Sequence, residues 1–454
     1  MPAPDTPSHS PVAERSGGPS PAAGAQDEAV EFCHDLLRID TSNYGDDGGP
    51  GERTAAEYVA AALTGAGLEV ELIEPRPGRT TVMARWAGLD PSRPGLLVHA
   101  HTDVVPAEAA DWRYHPFSGE LADDCLWGRG AVDMKYFVAQ VLAVVRARLR
   151  EGRPPARDVV LAFVADEEMG GGLGARWLVE HRPDLFEGCT EAIGEVGGYS
   201  ASLPGGRRVY LIETAQKGVV WFRLTAEGVA GHASMSNPAN SVTELSDAVG
   251  RIGRHRFPTR LTPTVRRFLQ TVAGELGLPF DPSDPGPLLE ALGPVERIVG
   301  ASLRNIASPT RLTAGNKTNV IPSRATAEVD CRFLPGFEDE VFETITGMLG
   351  ERIGVEVIHR DIAVETDFGG PVAEAVSASL LAEDPDALVA PYLLPAGTDA
   401  KHFSGLGIEC FGFAPLRVPA GFDFPGLFHG VDERIPVESL RFGVRVLDRF
   451  FDLC

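Results

Sequence analysis

The sequence predicts an α/β protein with a mixed, mostly parallel sheet flanked by helices, into which a second, smaller α+β domain is inserted. Three observations carry that expectation. From residue 27 onward, helical and strand patterns alternate. DVVLAFVADEE at 158–168 is a continuous apolar run ending in acid, as expected of a strand buried on both faces whose carboxyl end emerges where α/β proteins place their sites. Near residue 217 the texture changes to the alternating strand GVVWFRLTAEG, and buried-strand patterns such as GIECFGFA return only after residue 363.

Residues 1–26 are dominated by Pro, Ala, Ser and Gly and lack the apolar stretch of a secretory signal, so they are expected to form a disordered tail. Thr54 and Glu57 have capping-box spacing at the start of an Ala-rich helix that stops near Gly65 and Gly67. LEVELI (68–73), TVMARW (81–86) and GLLVHAH (95–101) read as strands. Met134, Val138, Val141, Val145 and Leu149 share one helical face, which predicts an amphipathic helix packed on the sheet. The first domain is then 27–215 with 364–454. The inserted one is 216–363, holding a long helical and Pro-rich stretch, ATAEVDCRFL, FEDEVFETITGMLG and VEVIHRDIAV.

A chain of 454 residues, 43% hydrophobic and 23% charged, with no run of ~18 apolar residues, excludes a helical membrane protein. The net charge of −23 without a basic cluster argues against nucleic acid or an anionic membrane as partner. Six scattered cysteines with no CxxC pair point to reduced thiols and a cytoplasmic location.

The side chains able to do chemistry gather at strand ends. In HAHTDVVP, His99, His101 and Asp103 alternate along a strand, and a carboxylate two residues beyond a histidine can accept from its second ring nitrogen and fix the tautomer of a metal ligand. LWGRGAVDMK delivers Asp133 to a helix start, where it could cap the helix or, ionised, offer its two oxygens to two cations. Asp166, Glu167 and Glu168 crowd at the exit of the buried run, and adjacent carboxylates repel unless protons or cations offset them. Glu195 in AIGEVGG repeats that design. Gly170, Gly172 and Ala175 match a dinucleotide fingerprint, but the two glutamates immediately before them would face the pyrophosphate, so a nucleotide-dependent oxidoreductase is set aside.

HAHTDVVP, WGRGAVDMK, ADEEMGG, GEVGG, GHAS, NKTNVIPSRATAEVDCR, PAGTDAKHF and LFHGVDERI occur in this order over most of the chain. Together they resemble the metallopeptidase family that includes aminoacylase, carboxypeptidase G, acetylornithine deacetylase and succinyl-diaminopimelate desuccinylase. The resemblance implies a catalytic first domain and an inserted lid and dimerisation domain. It implies two zinc ions per subunit, with cobalt or manganese fitting the same ligands: His101 and Glu195 on one, Glu168 and His429 on the other, Asp133 bridging and Glu167 as general base. His232 of GHAS would stabilise the oxyanion in a partner subunit's site of a homodimer. Asn319 and Arg332 would bind the substrate's carbonyl and carboxylate, and Gly397 and Thr398 would offer backbone N–H groups to that carboxylate. The implied substrates are small amides with a free carboxylate, N-acyl amino acids or short peptides. The branches are deacylase, dipeptidase or carboxypeptidase, and Glu195 with the two glycines after it looks nearer the first and last. A noncatalytic metal-binding protein of the same fold is the alternative. The family places a cis peptide after the bridging Asp, here Asp133–Met134, and Tyr136 and Phe137 depart from its pattern in a way expected to make the site mouth more aromatic. His99, His115, Lys401 and His402 receive no functional role.

Overall fold

A computed structural model describes residues 24–454 apart from 46 and 47. The expected tail lies outside the described residues up to position 23, and Ala25 and Gln26 already belong to the helix Ala25–Leu37. A ten-stranded sheet forms the body, in the order Val70–Arg76, Arg79–Trp86, Val159–Val164, Gly95–His101, Cys189–Gly194, Glu409–Gly412, Arg208–Gln216 and Val364–Glu365. Leu388–Leu394 and Tyr199–Ser202 also pair with Arg208–Gln216. The four central strands, from Val159–Val164 to Glu409–Gly412, run parallel, whereas the flanks are largely antiparallel. Parallel strands must be covered on both faces, and Val159–Val164 is accordingly apolar and buried throughout, whereas Cys189–Gly194 and Glu409–Gly412 begin with polar residues that reach the surface. On one face lie Ala25–Leu37, Arg53–Thr64, Lys135–Glu151 and Val437–Leu453 within the main core. On the other, Leu178 and Phe403, from Ala175–His181 and Ala400–Ser404, pack against Leu97, Val160 and Ala192.

Two local expectations change. The helix Arg53–Thr64 begins before Thr54, no side chain caps it, and Glu57 pairs with Arg53 at 3.0 Å, so the capping box does not form. Lys135–Glu151 is buried nearly all round from Lys135 to Val145, because Ala25–Leu37 and Val437–Leu453 cover the side turned away from the sheet. Its first residue, Lys135, donates from Nζ to the carbonyls of Leu36 (3.1 Å) and Ile39 (2.7 Å), satisfying the carboxyl end of the first helix with a buried cation.

Residues 218–361 contribute a second, antiparallel sheet in the order Ile306–Ala314, Arg324–Phe333, Gly218–Glu227 and Ile353–Asp361. Strict alternation along Gly218–Glu227 sends Val220, Phe222, Leu224 and Ala226 into a small core closed by Leu245, Ile252, Val341 and Ile345 of two helices. Within the span read as one inserted unit, residues 263–303 behave differently. Val265, Phe268, Leu269, Val272 and Leu303 join the core of the large body.

A three-stranded ribbon, Glu120–Ala122, Cys125–Trp127 and Arg434–Pro436, ties the carboxyl-terminal segment to the Gly-rich turn 128–133. Fully buried Glu433 holds that turn. Its carboxylate accepts from the backbone N–H groups of Gly130 (3.0 Å), Val132 (2.6 Å) and Asp133 (3.0 Å) and from Arg129 Nη1 (2.7 Å). Removing one member of such a pair strands the other charge, so Glu433→Ala is expected to lower unfolding free energy by about 3–5 kcal/mol in urea denaturation. A loss below about 1 kcal/mol, the scale of an exposed pair, would show that the turn does not depend on this residue.

Candidate metal centre

The carboxyl ends of three adjacent parallel strands bring the expected ligands together. His101 ends Gly95–His101, Glu167 and Glu168 follow Val159–Val164 by a short turn, and Glu195 follows Cys189–Gly194 directly. Asp133 arrives on the turn held by Glu433, and His429 on a loop from the carboxyl-terminal segment with a left-handed backbone (φ 56°). Asp133 stands between the imidazoles: Oδ1 lies 2.9 Å from His101 Nε2 and Oδ2 lies 3.3 Å from His429 Nε2. Glu195 Oε2 is 3.2 Å from His101 Nε2, and Glu168 Oε2 is 3.1 Å from His429 Nε2. The Asp133–Met134 peptide is cis, as is Glu195–Val196.

The hydrogen bonding around His101 tests whether a cation fits here. Nδ1 lies 2.9 Å from the carbonyl oxygen of Asp103, which can only accept, so Nδ1 carries a proton. In the neutral ring, Nε2 then aims a lone pair at oxygens of Asp133 and Glu195, an arrangement that is repulsive without positive charge between them. Donors on a tetrahedral ion with bonds of 2.0–2.1 Å stand about 3.3 Å apart, near the separations found. Two overlapping groups, His101 with Glu167 and Glu195, and His101 with Asp133 and Glu168, each bring one candidate ligand atom per residue to within 4.8 Å of one another. Glu168 Oε1 is buried with no hydrogen-bond partner, a further donor left for an ion. The residues present therefore fit divalent cations with mixed nitrogen and oxygen ligands.

Titration behaviour reports the same crowding. Burial and then the charge of Glu195 push the Glu167 carboxyl well above its usual range. Burial and the charge of Asp133 push Glu168 up to about 7. Burial opposes charge on His101, but Glu195 and bonds to Asp103, Asp133 and Glu195 raise it well above an ordinary histidine. Bonds to Asp133 and Glu168 raise His429 to about 10. Each acid thus competes for too little positive charge.

Asp103 was expected to orient His101 through its carboxylate; its backbone carbonyl is the nearer partner of Nδ1, at 2.9 Å, with the carboxylate at 3.5 Å. The carboxylate also serves the next turn, accepting from the backbone N–H groups of Glu167 and Glu168, both at 3.1 Å. The strand stops at His101, which frees the Asp103 side chain to face that turn. Asn43 Nδ2 joins it, donating to Asp103 (2.9 Å) and to Asp166 (3.0 Å). Arg79 Nη2 donates to Asn43 Oδ1 (2.8 Å), and Arg79 pairs with buried Glu52 at 2.6 Å. Asn43, Arg79, Glu52 and Glu433 were not found from sequence. Only Glu433 left a signal, in GVDERI beside His429.

Among the described residues, none of the other expected residues makes a side-chain hydrogen bond or ion pair with this cluster. His232 pairs with Val320 in a short two-stranded ribbon, is exposed, and contacts Ser234 Oγ through Nδ1 at 2.8 Å; Asn319 lies beside that ribbon, exposed, with its carbonyl accepting from Ala233 N–H. Arg332 is held by Asp330 through two bonds of 2.7 and 2.8 Å. The Thr398 N–H already donates to Gln216 Oε1 at 2.7 Å, so of the expected backbone pair only the Gly397 N–H has no acceptor among the described residues. Tyr136 and Phe137 are buried, and Tyr136 donates to the Ala414 carbonyl, so they pack the core and do not form an aromatic site mouth. Asp399, next to Thr398, was missed. It is buried, neither of its oxygens has a hydrogen-bond partner, and burial with the charge of Glu195 pushes it up to about 8. His99 packs on Phe403 and on Gly194, where a Cβ would come within 2.3 Å of the ring; only glycine fits that approach. His115 and His402 accept or make backbone contacts, with Phe117 N–H and the Gly170 carbonyl.

Comparison with known proteins follows this geometry. The chain is 29% identical over 408 residues to probable carboxypeptidase S-like 2 of Dictyostelium discoideum, covering 82% of this chain and 73% of that protein. It is 26% identical over 426 residues to aminoacylase-1 of Mus musculus, covering 92% and 93%. Among solved structures, the M20 metallo-carboxypeptidase Sso-CP2 from Sulfolobus solfataricus superposes with a TM-score of 0.69 at 19% identity over 94% of this chain and 99% of that one, and human carnosine dipeptidase 1 with 0.62 at 16% over 94% and 96%; at such identities the likeness is one of fold. A family model described as Peptidase family M20/M25/M40 matches residues 97–452, a span that contains every residue of the cluster, and on that ground the chain belongs to this family of metal-dependent hydrolases of amide and peptide bonds.

Proposed function

We propose that the chain hydrolyses the amide bond of N-acyl amino acids or short peptides bearing a free carboxylate, using two zinc ions per subunit, with cobalt or manganese as possible substitutes. The observation that carries this reading is the placement of Asp133, one oxygen toward His101 and the other toward His429, with Glu195 and Glu168 completing a ligand set on either side. Bound there, two divalent cations would polarise the scissile carbonyl and make a water acidic enough to attack near neutral pH. Glu167 holds and moves the proton. Its carboxyl is half-buried and raised well above the usual range, so it takes a proton from water readily and can return it to the leaving nitrogen. Its backbone is fixed by the bond to Asp103, which keeps the carboxyl beside the ligands without spending it on one. Arg332 supports the carboxylate preference, since its planar fork, now on Asp330, matches a substrate carboxylate equally well. Six cysteines without disulfide partners support a reducing, cytoplasmic setting.

A panel of N-acetyl, N-succinyl and longer N-acyl amino acids and dipeptides, assayed with zinc, cobalt or manganese, tests the reading. The wild type is expected to cleave at least one class and to lose activity on chelation. Glu167→Ala should lower kcat by about 10²–10⁴-fold while retaining its metal. Full activity in Glu167→Ala would remove the proton-transfer role. Metal binding with no hydrolysis anywhere in the panel would favour the noncatalytic alternative.

The exposed position of His232 supports a role in a partner's site within a homodimer. Subunits carrying His232→Ala and Glu167→Ala, each nearly inactive alone, should regain about a quarter of wild-type activity when mixed and exchanged, because half the dimers then hold one intact composite site. A fully active monomer, or no recovery despite demonstrated exchange, would contradict it.

A further inference from the structure

Two of the proposed ligands stand on segments beyond the strands of the large sheet. Glu195 follows the end of Cys189–Gly194, and His429 lies on a loop between Gly412 and Arg434 whose one regular piece is the short turn Pro425–Leu427. The two segments first run side by side. Phe413 N–H donates to the Gly194 carbonyl (2.7 Å), Ala414 N–H to Gly197 (2.8 Å) and Leu416 N–H to Gly198 (3.1 Å), and Val418 N–H donates to Ser200 Oγ (2.9 Å). Beyond Val418, among the described residues, the backbone–backbone bonds of the loop as far as Gly430 are local, such as Leu427 N–H to Phe424 and Gly430 N–H to Leu427.

Aromatic rings take over where those bonds stop. Tyr392 Oη donates to the carbonyl of Val196, the residue after Glu195, at 2.6 Å. The Tyr392 ring meets Tyr199 edge to face at 6.1 Å, Tyr199 lies 4.9 Å from Phe424, and Phe424 meets Phe428 edge to face at 5.4 Å. Phe428 immediately precedes His429. Tyr392, Tyr199 and Phe424 are all buried. Other holds on the loop include an exposed pair, Arg297 with Asp423 at 3.3 Å, and a bond from Arg129 Nη2 to the His429 carbonyl at 3.3 Å. Glu195 and His429 belong to opposite ligand sets. Asp133 joins those sets through its two oxygens, and the rings join them by a separate route.

We infer that Tyr392, Tyr199 and Phe424 are positioning residues that set Glu195 and His429 relative to each other, so that an aromatic wall, as well as Asp133, fixes the spacing of the two metal positions. This rests on the function proposed above. Rings suit the task because each has only two rotatable bonds to its backbone and a large contact face, so position passes along the line with little slack. Unlike a carboxylate or an imidazole, a phenyl ring does not compete for the ion.

The test uses the full-length protein, stripped of metal and titrated with zinc against a chelator of known affinity. Two binding steps are expected, and His429→Ala and Glu195→Ala mark which step belongs to which ligand. Phe424→Leu should weaken the step that His429→Ala abolishes by about 10–100-fold, the loss typical when a ligand's support is removed, and leave the other within about threefold. Tyr392→Phe, which removes only the hydroxyl, should weaken the step that Glu195→Ala abolishes by about tenfold, and Tyr199→Leu, which removes the shared ring, should weaken both. In Phe424→Leu and Tyr392→Phe, kcat on the best substrate should fall at low free zinc and return as zinc is raised, with KM changed by less than about twofold. A buried ring is also a folding contact, so Phe268→Leu, elsewhere in the main core, is the control: it should lower the thermal midpoint as Phe424→Leu does without moving either zinc step. Zinc steps unchanged in both Phe424→Leu and Tyr392→Phe, or moved equally by Phe268→Leu, would overturn the inference. Amide hydrogen exchange over residues 426–430 of the metal-free protein should quicken in Phe424→Leu and Tyr199→Leu, and unchanged exchange there would also overturn it. Exchange is read without ion or substrate, so it decides the positioning even in a protein that cleaves nothing or binds a single ion, outcomes that count against the proposed function.

Discussion

Packing Asp103, Asp133, Glu167, Glu168, Glu195 and Asp399 at one edge of a sheet is electrostatically expensive, and most of the surrounding structure makes sense as a response to that. Among the described residues, His101, His429 and Lys401 are the groups that set positive charge against them most directly. In a partly desolvated site, repulsion between carboxylates a few ångströms apart is not screened as it is in water. The result is visible as raised titration of Glu167, Glu168 and Asp399 and as carboxylate oxygens that are buried yet unpaired. Divalent cations relieve all of these at once, whereas protons could relieve only some.

The fold bears this load by anchoring each turn through a buried group placed away from the cluster. Asp103 accepts from the Glu167 and Glu168 backbone, Asn43 and Arg79 stand behind Asp103, and Glu433 gathers the N–H groups of the turn carrying Asp133. Parallel central strands make the convergence possible, because their carboxyl ends all emerge on the same edge. The proposed ligands can then remain free of structural bonds that would compete with an ion.

Much of the body was legible because a strand buried on both faces must be largely apolar; Val159–Val164 is so throughout, and Gly95–His101 except for His99 and His101. The candidate acids Glu167, Glu168 and Glu195 were legible for a related reason: acid at the end of such a run has few structural explanations; the proposed ligands His101, Asp133 and His429 came from the resemblance of the motifs to the family. The residues that hold them were not. Asn43 is isolated in the sequence, more than a hundred positions from Asp166, and nothing local marks a single asparagine as a partner of distant carboxylates. Asp103 was found, but its bonds to the Glu167 and Glu168 backbone were not, since the sequence does not show that the strand ends at His101 and turns that side chain toward the next loop. Tyr136 and Phe137 misled in the opposite sense, their aromatic character being spent on core packing once two further helices cover them. The division of 216–363 was also coarser than the packing, because apolar periodicity in 263–276 does not reveal which of two cores it faces.

The central claim is that Asp133 bridges two ions, and a crystal structure of zinc-saturated protein measured on both sides of the zinc absorption edge tests it most directly. The account predicts two anomalous peaks about 3.5–4 Å apart, one against His101 and Glu195, the other against Glu168 and His429, with an Asp133 oxygen at each. A single peak, or two peaks with Asp133 turned away from either, would contradict it.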